Sequence, residues 1–148
     1  MSDRMTDPAT TRAAGSKGNP GQSPPPREFD DARLDAVAAA PGFHTPLLEN
    51  DAVRVLDTRI EPGQIVPLHT HRWPAAYYIL SVGDFVRRDE HGRVTLDTRA
   101  TPTGLRPGTA VWSPALGPHT LENVGATTIH VVSIEVKDTP ATSISLQR

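Results

Sequence analysis

The stretch GQIVPLHTH, residues 63–71, places two histidines two positions apart in a run that has the composition of a β-strand. Residues two apart in an extended strand point to the same face, so His69 and His71 can aim both imidazoles at one point. A second stretch, residues 108–123, reads GTAVWSPALGPHTLEN and contributes His119. A third imidazole from a distant strand would complete a facial three-nitrogen metal site with open coordination positions, as catalytic metals require.

The sequence around these stretches has the pattern of an all-β domain. Short apolar runs alternate with turns rich in glycine and proline, which is typical of a β-sandwich or barrel. We predict nine strands, at 44–49, 52–60, 65–71, 76–82, 84–89, 93–98, 109–113, 119–123 and 128–137. The architecture that we predict for residues 43–137 is a double-stranded β-helix, or jelly-roll barrel. In the last strand, we expect the face shared by His130 and Ile134 to point inward.

These residues resemble the two motifs of the cupin superfamily. The spacing of the first motif is kept by four residues: Gly63, His69, His71 and Gly83. The register of the second motif is kept by four more: Gly108, Pro114, His119 and Asn123. Ala76 stands where the first motif usually has a glutamate ligand, and Gly117 is displaced by one residue from the expected glycine. The resemblance covers about residues 44 to 137 and implies a single cupin barrel, because no internal repeat is visible.

The resemblance also implies a divalent metal held by His69, His71 and His119, most plausibly Fe(II), with Mn, Ni or Zn as alternatives. Three neutral imidazoles leave the full charge of the ion uncompensated, which favours an anionic, chelating small-molecule substrate. The site resembles that of cupin-like dioxygenases with three-histidine iron centres, which act on thiols, diketones or hydroxylated aromatic acids, so the resemblance implies a metal-dependent enzyme with a dioxygenase-type reaction. Two alternatives stay open: a redox-neutral metal lyase or isomerase, and a non-catalytic metal- or ligand-binding module.

Ala76 is the position on which the predicted chemistry depends most. We expect its small side chain to face the metal and to open room for substrate where a glutamate usually sits. Tyr78 has the same strand parity as Ala76 and is a candidate cavity-lining residue, whereas Tyr77 is expected to face away. His44 begins the first strand and receives no role, and His91 lies in a turn that we expect to be exposed.

Other charged residues are candidates to replace the missing carboxylate or to anchor a substrate. The carboxylates considered as substitute ligands are Asp57, Asp84, Asp89 and Glu122, and Glu122 is expected to face away because it is an odd number of residues from His119. His130 is expected to be a packed strand histidine, with the role of an outer donor or extra ligand as its alternative. The arginines expected at solvated strand positions are Arg54, Arg59, Arg87 and Arg88. An arginine that pointed into the barrel instead would anchor a substrate carboxylate.

Composition excludes several classes of function. The 148 residues carry 15 basic and 17 acidic side chains, a net charge of -2, which gives no electrostatic footprint for nucleic acid. Cysteine is absent, which excludes disulfides, thiolate ligands and thiol catalysis. No signal-peptide pattern and no apolar run of transmembrane length are visible, so we expect no membrane partner and a cytoplasmic enzyme.

Segments outside the barrel complete the predicted domain organisation. Residues 1–29 contain few apolar side chains and are predicted to be a disordered tail. Residues 30–42 are predicted to form a short helix, capped by Asp30 or Asp31, and a linker. Residues 138–148 form a C-terminal tail that contains Ile144 and Leu146. We expect a homodimer in which this tail adds an edge strand across the interface.

Overall fold

The computed structural model describes residues 29–137. The two predicted tails lie outside the described residues, except that Phe29, the last residue of the N-terminal tail, is described. The C-terminal tail, 138–148, lies outside entirely. The elements are one helical turn and nine strands: α1 (Ala36–Ala39), β1 (His44–Glu49), β2 (Val53–Ile60), β3 (Ile65–His71), β4 (Ala75–Ser81), β5 (Phe85–Asp89), β6 (Val94–Asp97), β7 (Ala110–Ser113), β8 (Leu116–Asn123) and β9 (Ile129–Val136). Eight strands begin and end within one residue of their predicted bounds, whereas β8 begins three residues earlier than predicted.

Two antiparallel sheets form the barrel. The larger sheet has the strand order β1-β2-β9-β4-β7, and the smaller has the order β3-β8-β5-β6. Apolar side chains from both sheets meet between them, where Ile60, Val66, Phe85 and Ile129 are almost fully buried. The pairing of β2 with β9 and of β3 with β8 joins strands that are distant in sequence. This confirms the predicted all-β double-stranded β-helix.

The helix before the barrel is shorter than the sequence suggested. It spans Ala36–Ala39, and its N-cap is Asp35, whose side chain accepts a hydrogen bond from the backbone N–H of Val37. The expectation that Asp30 or Asp31 caps it is therefore wrong. The chain before Asp35 is held differently, because the backbone N–H of Thr70 on β3 donates to the carbonyl of Leu34 at 2.6 Å. This contact fixes Asp35 against the strand that carries the two adjacent histidines.

Strand β9 faces the opposite way from the expectation. Its buried residues are Ile129, Ser133 and Glu135, while Ile134 and Val136 are each 41% exposed. Apolar residues occupy both faces of this strand, so alternation of polarity gave the wrong parity. His130 lies on the outer face, and its Nε2 is 2.6 Å from Oδ1 of Asp57 on β2. Glu135 points inward, where it pairs with Arg54, as described below.

No helix in the stretch from residue 29 to residue 137 is long and apolar enough to cross a membrane.

Candidate metal centre

The three histidines selected from the sequence lie together between the two sheets. His69 on β3 and His119 on β8 are directly opposite each other in the strand pairing, and their ring centroids are 4.3 Å apart. The His71 ring is 4.9 Å from that of His69 and 5.6 Å from that of His119. All three are at most 7% exposed. The His-X-His spacing and the antiparallel pairing of β3 with β8 therefore bring these three rings close together, while their ligation of one metal ion stays a prediction.

His44, to which sequence reasoning gave no role, joins the same cluster from the opposite sheet. Its ring centroid lies 5.0 Å from that of His69 and 5.4 Å from that of His71. Ligand atoms of His44, His69 and His71 all lie within 4.8 Å of one another. Two nitrogens on one ion are separated by up to about 4.2 Å, since each bond is about 2.1 Å long. A small closure of the cluster would therefore bring these nitrogens to one ion.

The Nδ1 atoms of all four histidines face protein oxygens. Nδ1 of His69 lies 2.7 Å from the carbonyl of Pro67, and Nδ1 of His119 lies 2.7 Å from that of Gly117. Nδ1 of His44 is 3.1 Å from the Ala40 carbonyl. A carbonyl oxygen can only accept, so each of these Nδ1 atoms carries the proton and each Nε2 keeps a free lone pair. Histidine ligands are held in this way in metal sites.

Burial keeps the four imidazoles neutral, which is the form that binds metal. Burial lowers the pKa of His44 and that of His69 from 6.5 to about 4 each. Burial, together with the neighbouring histidines, lowers the pKa of His71 to about 3 and that of His119 to about 2. The donor set thus fits a divalent ion that accepts imidazole nitrogen.

His71 is oriented by a buried chain of charged groups. Its Nδ1 is 3.4 Å from Oε1 of Glu135, whose Oε2 accepts from Nε of Arg54 at 2.6 Å. Two further guanidinium nitrogens of Arg54 donate to the carboxylate of Asp35 at 2.8 and 2.9 Å. Burial raises the pKa of Glu135, while Arg54 opposes this shift. Burial also acts to raise the pKa of Asp35, but Arg54 outweighs it and the pKa is lowered.

Neither Glu135 nor Asp35 was among the carboxylates considered from the sequence, and Arg54 was expected to be solvated. Glu135 is 0% exposed and Arg54 is 5% exposed. The four carboxylates that were considered make other contacts: Asp57 with His130, Asp84 with Thr98, Asp89 with the turn at 91–93, and Glu122 with Arg88. The expectation that Glu122 turns away from His119 is consistent with its bond to Arg88.

The predicted orientation of β4 is reversed. Ala76 pairs with Ile134 and Trp112 on the outer face, and Tyr78 on the same face is 45% exposed. The expectations that Ala76 faces the metal and that Tyr78 lines the cavity are therefore wrong. Ala75 points inward instead, 1% exposed and directly opposite Glu135 on β9.

Tyr77 is the aromatic residue of β4 that lines the interior. Its ring meets the ring of His71 edge to face, with centroids 6.4 Å apart. Burial raises the pKa of its phenol, so Tyr77 stays protonated and offers a neutral hydrogen-bond donor. His91, in contrast, lies in an exposed turn, as expected.

The histidine cluster opens into a cavity of about 490 Å³ between the sheets. Its walls are mainly apolar and include Ile79, Phe85, Leu96 and Leu121. Arg87 on β5 also lines this cavity, although it was expected to be solvated. Its Nε is buried without a hydrogen-bond partner. The arrangement is that of a small-molecule site: apolar walls, a few polar groups and a cluster of potential metal ligands.

Solved structures show which fold this is. A cupin domain from Bordetella pertussis Tohama I is 24% identical, with a TM-score of 0.53 over 65% of this chain and 93% of that chain. A cupin-family protein with a double-stranded β-helix fold from Methanocaldococcus jannaschii is 13% identical, with a TM-score of 0.46 over 63% of this chain and 77% of that chain. A polyketide cyclase from Streptomyces resistomycificus is 20% identical, with a TM-score of 0.43 over 66% of each chain.

The likeness to the Bordetella domain, together with the observed strand order, shows that this chain has the cupin fold. No protein-family model matches the chain. No curated protein matches it either. The fold hosts many chemistries, so function has to be argued from the site itself.

Proposed function

We propose that this chain is a metal-dependent enzyme that acts on a small chelating molecule inside the barrel. The proposed ligands are Nε2 atoms of His69, His71 and His119, joined by Nε2 of His44. The observation that carries the proposal is the set of four buried, neutral imidazoles whose Nδ1 atoms face protein oxygens. A structural role alone gives no reason to gather four such rings at the end of an apolar cavity.

A bound divalent ion would supply Lewis-acid chemistry, polarising an oxygen of the chelating substrate. The residues of the chain would do the rest. Neutral imidazoles leave the charge of the ion uncompensated, so they favour an anionic substrate. The apolar walls of the cavity exclude water, and Tyr77 holds a phenolic proton at the cavity wall next to His71. This donor is suited to orienting a substrate oxygen.

The number of histidine ligands separates two reaction classes. With four imidazoles on a six-coordinate ion, two positions remain, and a bidentate substrate fills both. This supports a redox-neutral lyase or isomerase, for which Zn, Mn or Ni suffices. The second candidate is a dioxygenase-type reaction with Fe(II) on His69, His71 and His119 alone. Its support is the resemblance stated above and the position of His44 on the opposite sheet.

Metal analysis of the protein purified without an affinity tag tests the proposal. We expect about one metal ion per chain, and a marked loss in each of four variants: His44→Ala, His69→Ala, His71→Ala and His119→Ala. His91→Ala and His130→Ala are matched controls, because His91 is exposed and His130 lies on the outer face. Full metal content in all four cluster variants would reject the metal site. A stoichiometric metal without turnover of any chelating substrate would favour the non-catalytic binding module.

Oxygen uptake separates the two reaction classes. The iron-loaded wild type and the iron-loaded His44→Ala variant are compared with a panel of diketones, thiols and hydroxylated aromatic acids. A redox-neutral enzyme shows no substrate-dependent oxygen uptake in either form. Uptake by the wild type that survives in His44→Ala would establish the dioxygenase and exclude His44 as a required ligand.

A further inference from the structure

Arg87 differs from most arginines of the barrel because no carboxylate pairs with it among residues 29–137. Six arginines in that range form ion pairs with carboxylates: Arg33, Arg54, Arg59, Arg88, Arg93 and Arg99. The contrast with its neighbour is the most direct. Arg88 donates to Glu122 at 2.9 Å on the outer side of β5, whereas Nε of Arg87 is buried on the inner side without an acceptor.

The cross-strand neighbours of Arg87 are apolar, and the neutral phenol of Tyr77 lines the same cavity. Arg87 pairs across the sheet with Leu96 on β6 and with Leu121 on β8, and all three residues line the cavity. Burial lowers the pKa of the guanidinium, as expected for a cation that has lost water without gaining an anion. The positive charge also acts on the histidine cluster, where it contributes to lowering the pKa of His119. The guanidinium therefore lies within electrostatic range of the proposed metal site.

Arg87 is half-buried, and its Nε is buried without an acceptor, so the desolvation of this part of the cation is not offset by pairing. Here a cavity adjoins the charge, so an anion that enters can provide the missing partner. We infer that Arg87 anchors a carboxylate of the molecule that binds in the cavity, and that the substrate is a small organic acid with an apolar body. The inference deepens the proposed function and rests on it for one point, namely that the other end of this substrate chelates the metal.

The geometry of the guanidinium suits this role. Its planar fork of N–H donors binds a carboxylate through two parallel hydrogen bonds, and it remains charged over the whole physiological pH range. The apolar walls made by Phe85, Leu96 and Leu121 would cover the hydrocarbon part of the same molecule. A neutral molecule of the same shape would fill the cavity but would leave Arg87 unpaired.

Binding of benzoate and of benzamide tests the inference, because the two probes have the same shape and differ in charge. Calorimetric titrations use the full-length protein in its metal-free and zinc-loaded forms. We expect benzoate to bind the wild type more tightly than benzamide, and Arg87→Gln to weaken benzoate binding about 10–100-fold, the range for losing a hydrogen bond to a charged group. Arg87→Lys should retain part of the affinity. Arg88→Gln, the matched control on the other face, should retain all of it.

Failure of this inference is distinguishable from failure of the metal site. Benzoate binding that depends on Arg87 in the metal-free protein supports the anchor even if zinc never binds. Equal affinities for benzoate and benzamide, or benzoate affinity unchanged in Arg87→Gln, would overturn the anchor while leaving a zinc site intact. Benzoate could also bind the zinc-loaded form through the metal alone. The wild type and Arg87→Gln would then bind benzoate with equal affinity, and the anchor would be overturned.

Thermal unfolding provides a second readout that a purely structural arginine would not give. Replacing a half-buried, unpaired cation by an apolar side chain of similar length relieves its partial desolvation cost. We expect Arg87→Met to raise the Tm of the ligand-free protein and to abolish the further rise that benzoate produces in the wild type. A rise of Tm with benzoate in Arg87→Met that equals the rise in the wild type would contradict the inference.

Discussion

The buried carboxylate of Glu135 contacts the histidine cluster through His71. Its carboxylate lies between Nδ1 of His71, at 3.4 Å, and Nε of Arg54, at 2.6 Å. A carboxylate in this position fixes the tautomer and orientation of a histidine ligand and raises its basicity. In the cupin motif a glutamate is a direct metal ligand, and we expected Ala76 to stand at that position facing the metal. The structure puts the carboxylate one step further out, behind His71.

Replacing Glu135 by glutamine measures this contribution. We expect Glu135→Gln to reduce zinc affinity about 10–100-fold, the usual cost of losing an outer partner of a histidine ligand. The measurement is a competition titration against a chelator of known affinity. Glu122→Gln is the control, since Glu122 pairs with Arg88 away from the cluster. Equal zinc affinities for the wild type and Glu135→Gln would show that Glu135 serves the fold alone.

Ala76 allows a matched test of strand parity. Because Ala76 faces outward opposite Ile134, Ala76→Glu is expected to leave zinc affinity unchanged. Ala75→Glu would instead bury a second carboxylate directly opposite Glu135, and we expect it to lower the free energy of unfolding by several kcal/mol. Zinc titration and urea unfolding of the two variants make the comparison. Tighter zinc binding in Ala76→Glu would contradict the outward orientation of this position.

At the scale of the elements, Asn123 holds the end of β8 in place. Its side-chain amide donates to the carbonyls of Ile60 and Thr127, both at 2.9 Å, and its Oδ1 accepts from the backbone of Gly125 at 3.0 Å. The motif asparagine thus joins β2, β8 and the turn before β9. Gly83 packs against the same turn, where an added Cβ would lie 2.7 Å from the carbonyl oxygen of Thr127.

Substitution of Asn123 should therefore affect stability more than metal binding. We expect Asn123→Ala to lower the free energy of unfolding by about 2–4 kcal/mol, because buried carbonyls lose their donors. Urea unfolding gives the stability, and zinc titration of the folded variant gives the affinity. Asn50→Ala serves as the exposed comparison, since Asn50 caps a surface turn. A large loss of zinc affinity with unchanged stability would reassign Asn123 to the site.

The elements also show which features a sequence can reveal. Strand bounds and the convergence of His69, His71 and His119 were predictable, because strand periodicity and Gly/Pro turns are local signals. The parity of β4 and β9 was not, because the outer face of the larger sheet is also apolar. The contact between Arg54 and Glu135 joins residues 81 positions apart, and no local pattern reports it. His44 was missed for the same reason, since its neighbours come from β3 on the other sheet.

At the scale of the whole molecule, the outer face of the larger sheet carries an apolar row that crosses all five strands. Its members are direct cross-strand neighbours: Leu48, Val55, Ile134, Ala76 and Trp112. Leu48 is 51% exposed and Trp112 is 62% exposed. A contiguous exposed apolar surface is typical of an interface. The homodimer stays a prediction, and this face is the surface through which we now expect the two copies to pair.

Light scattering at micromolar concentration tests the dimer. We expect the mass of two chains for the wild type, and the mass of one chain for Ala76→Glu, which places a carboxylate in the centre of the apolar row. The control is Arg59→Glu, because Arg59 is exposed at the margin of the same sheet. A monomeric wild type would reject the prediction, as would a dimeric Ala76→Glu variant. Residues 138–148, which contain Ile144 and Leu146, can be deleted to test their part in the interface.

The buried histidine cluster also makes the stability of the metal-free protein depend on pH. Burial lowers the pKa of His44 and His69 to about 4, and that of His71 and His119 further, whereas each histidine of the unfolded chain titrates near 6.5. Below pH 6.5 the unfolded chain therefore binds more protons than the folded one, and the free energy of unfolding falls as the pH falls. From about pH 7.5 upward these histidines contribute almost no pH dependence, because they are then neutral in both the folded and the unfolded state.

Between its unfolded-state and folded-state pKa values, each such histidine lowers the free energy of unfolding by about 1.4 kcal/mol for every pH unit of acidification. Over a few pH units, the loss from four histidines approaches the whole stability of a small domain. We expect the urea midpoint of the metal-free protein to be nearly constant above about pH 7.5, to begin to fall near pH 7 and to drop steeply between about pH 6.5 and pH 4.5. In His44→Leu the urea midpoint should fall less with pH, because one of the four buried histidines is gone. In His91→Leu the midpoint should fall as much as in the wild type, because His91 is exposed. A urea midpoint that stays constant down to pH 4.5 would mean that the folded chain does not hold the four rings neutral. The argument that these imidazoles are kept in the form that binds a metal ion would then fail.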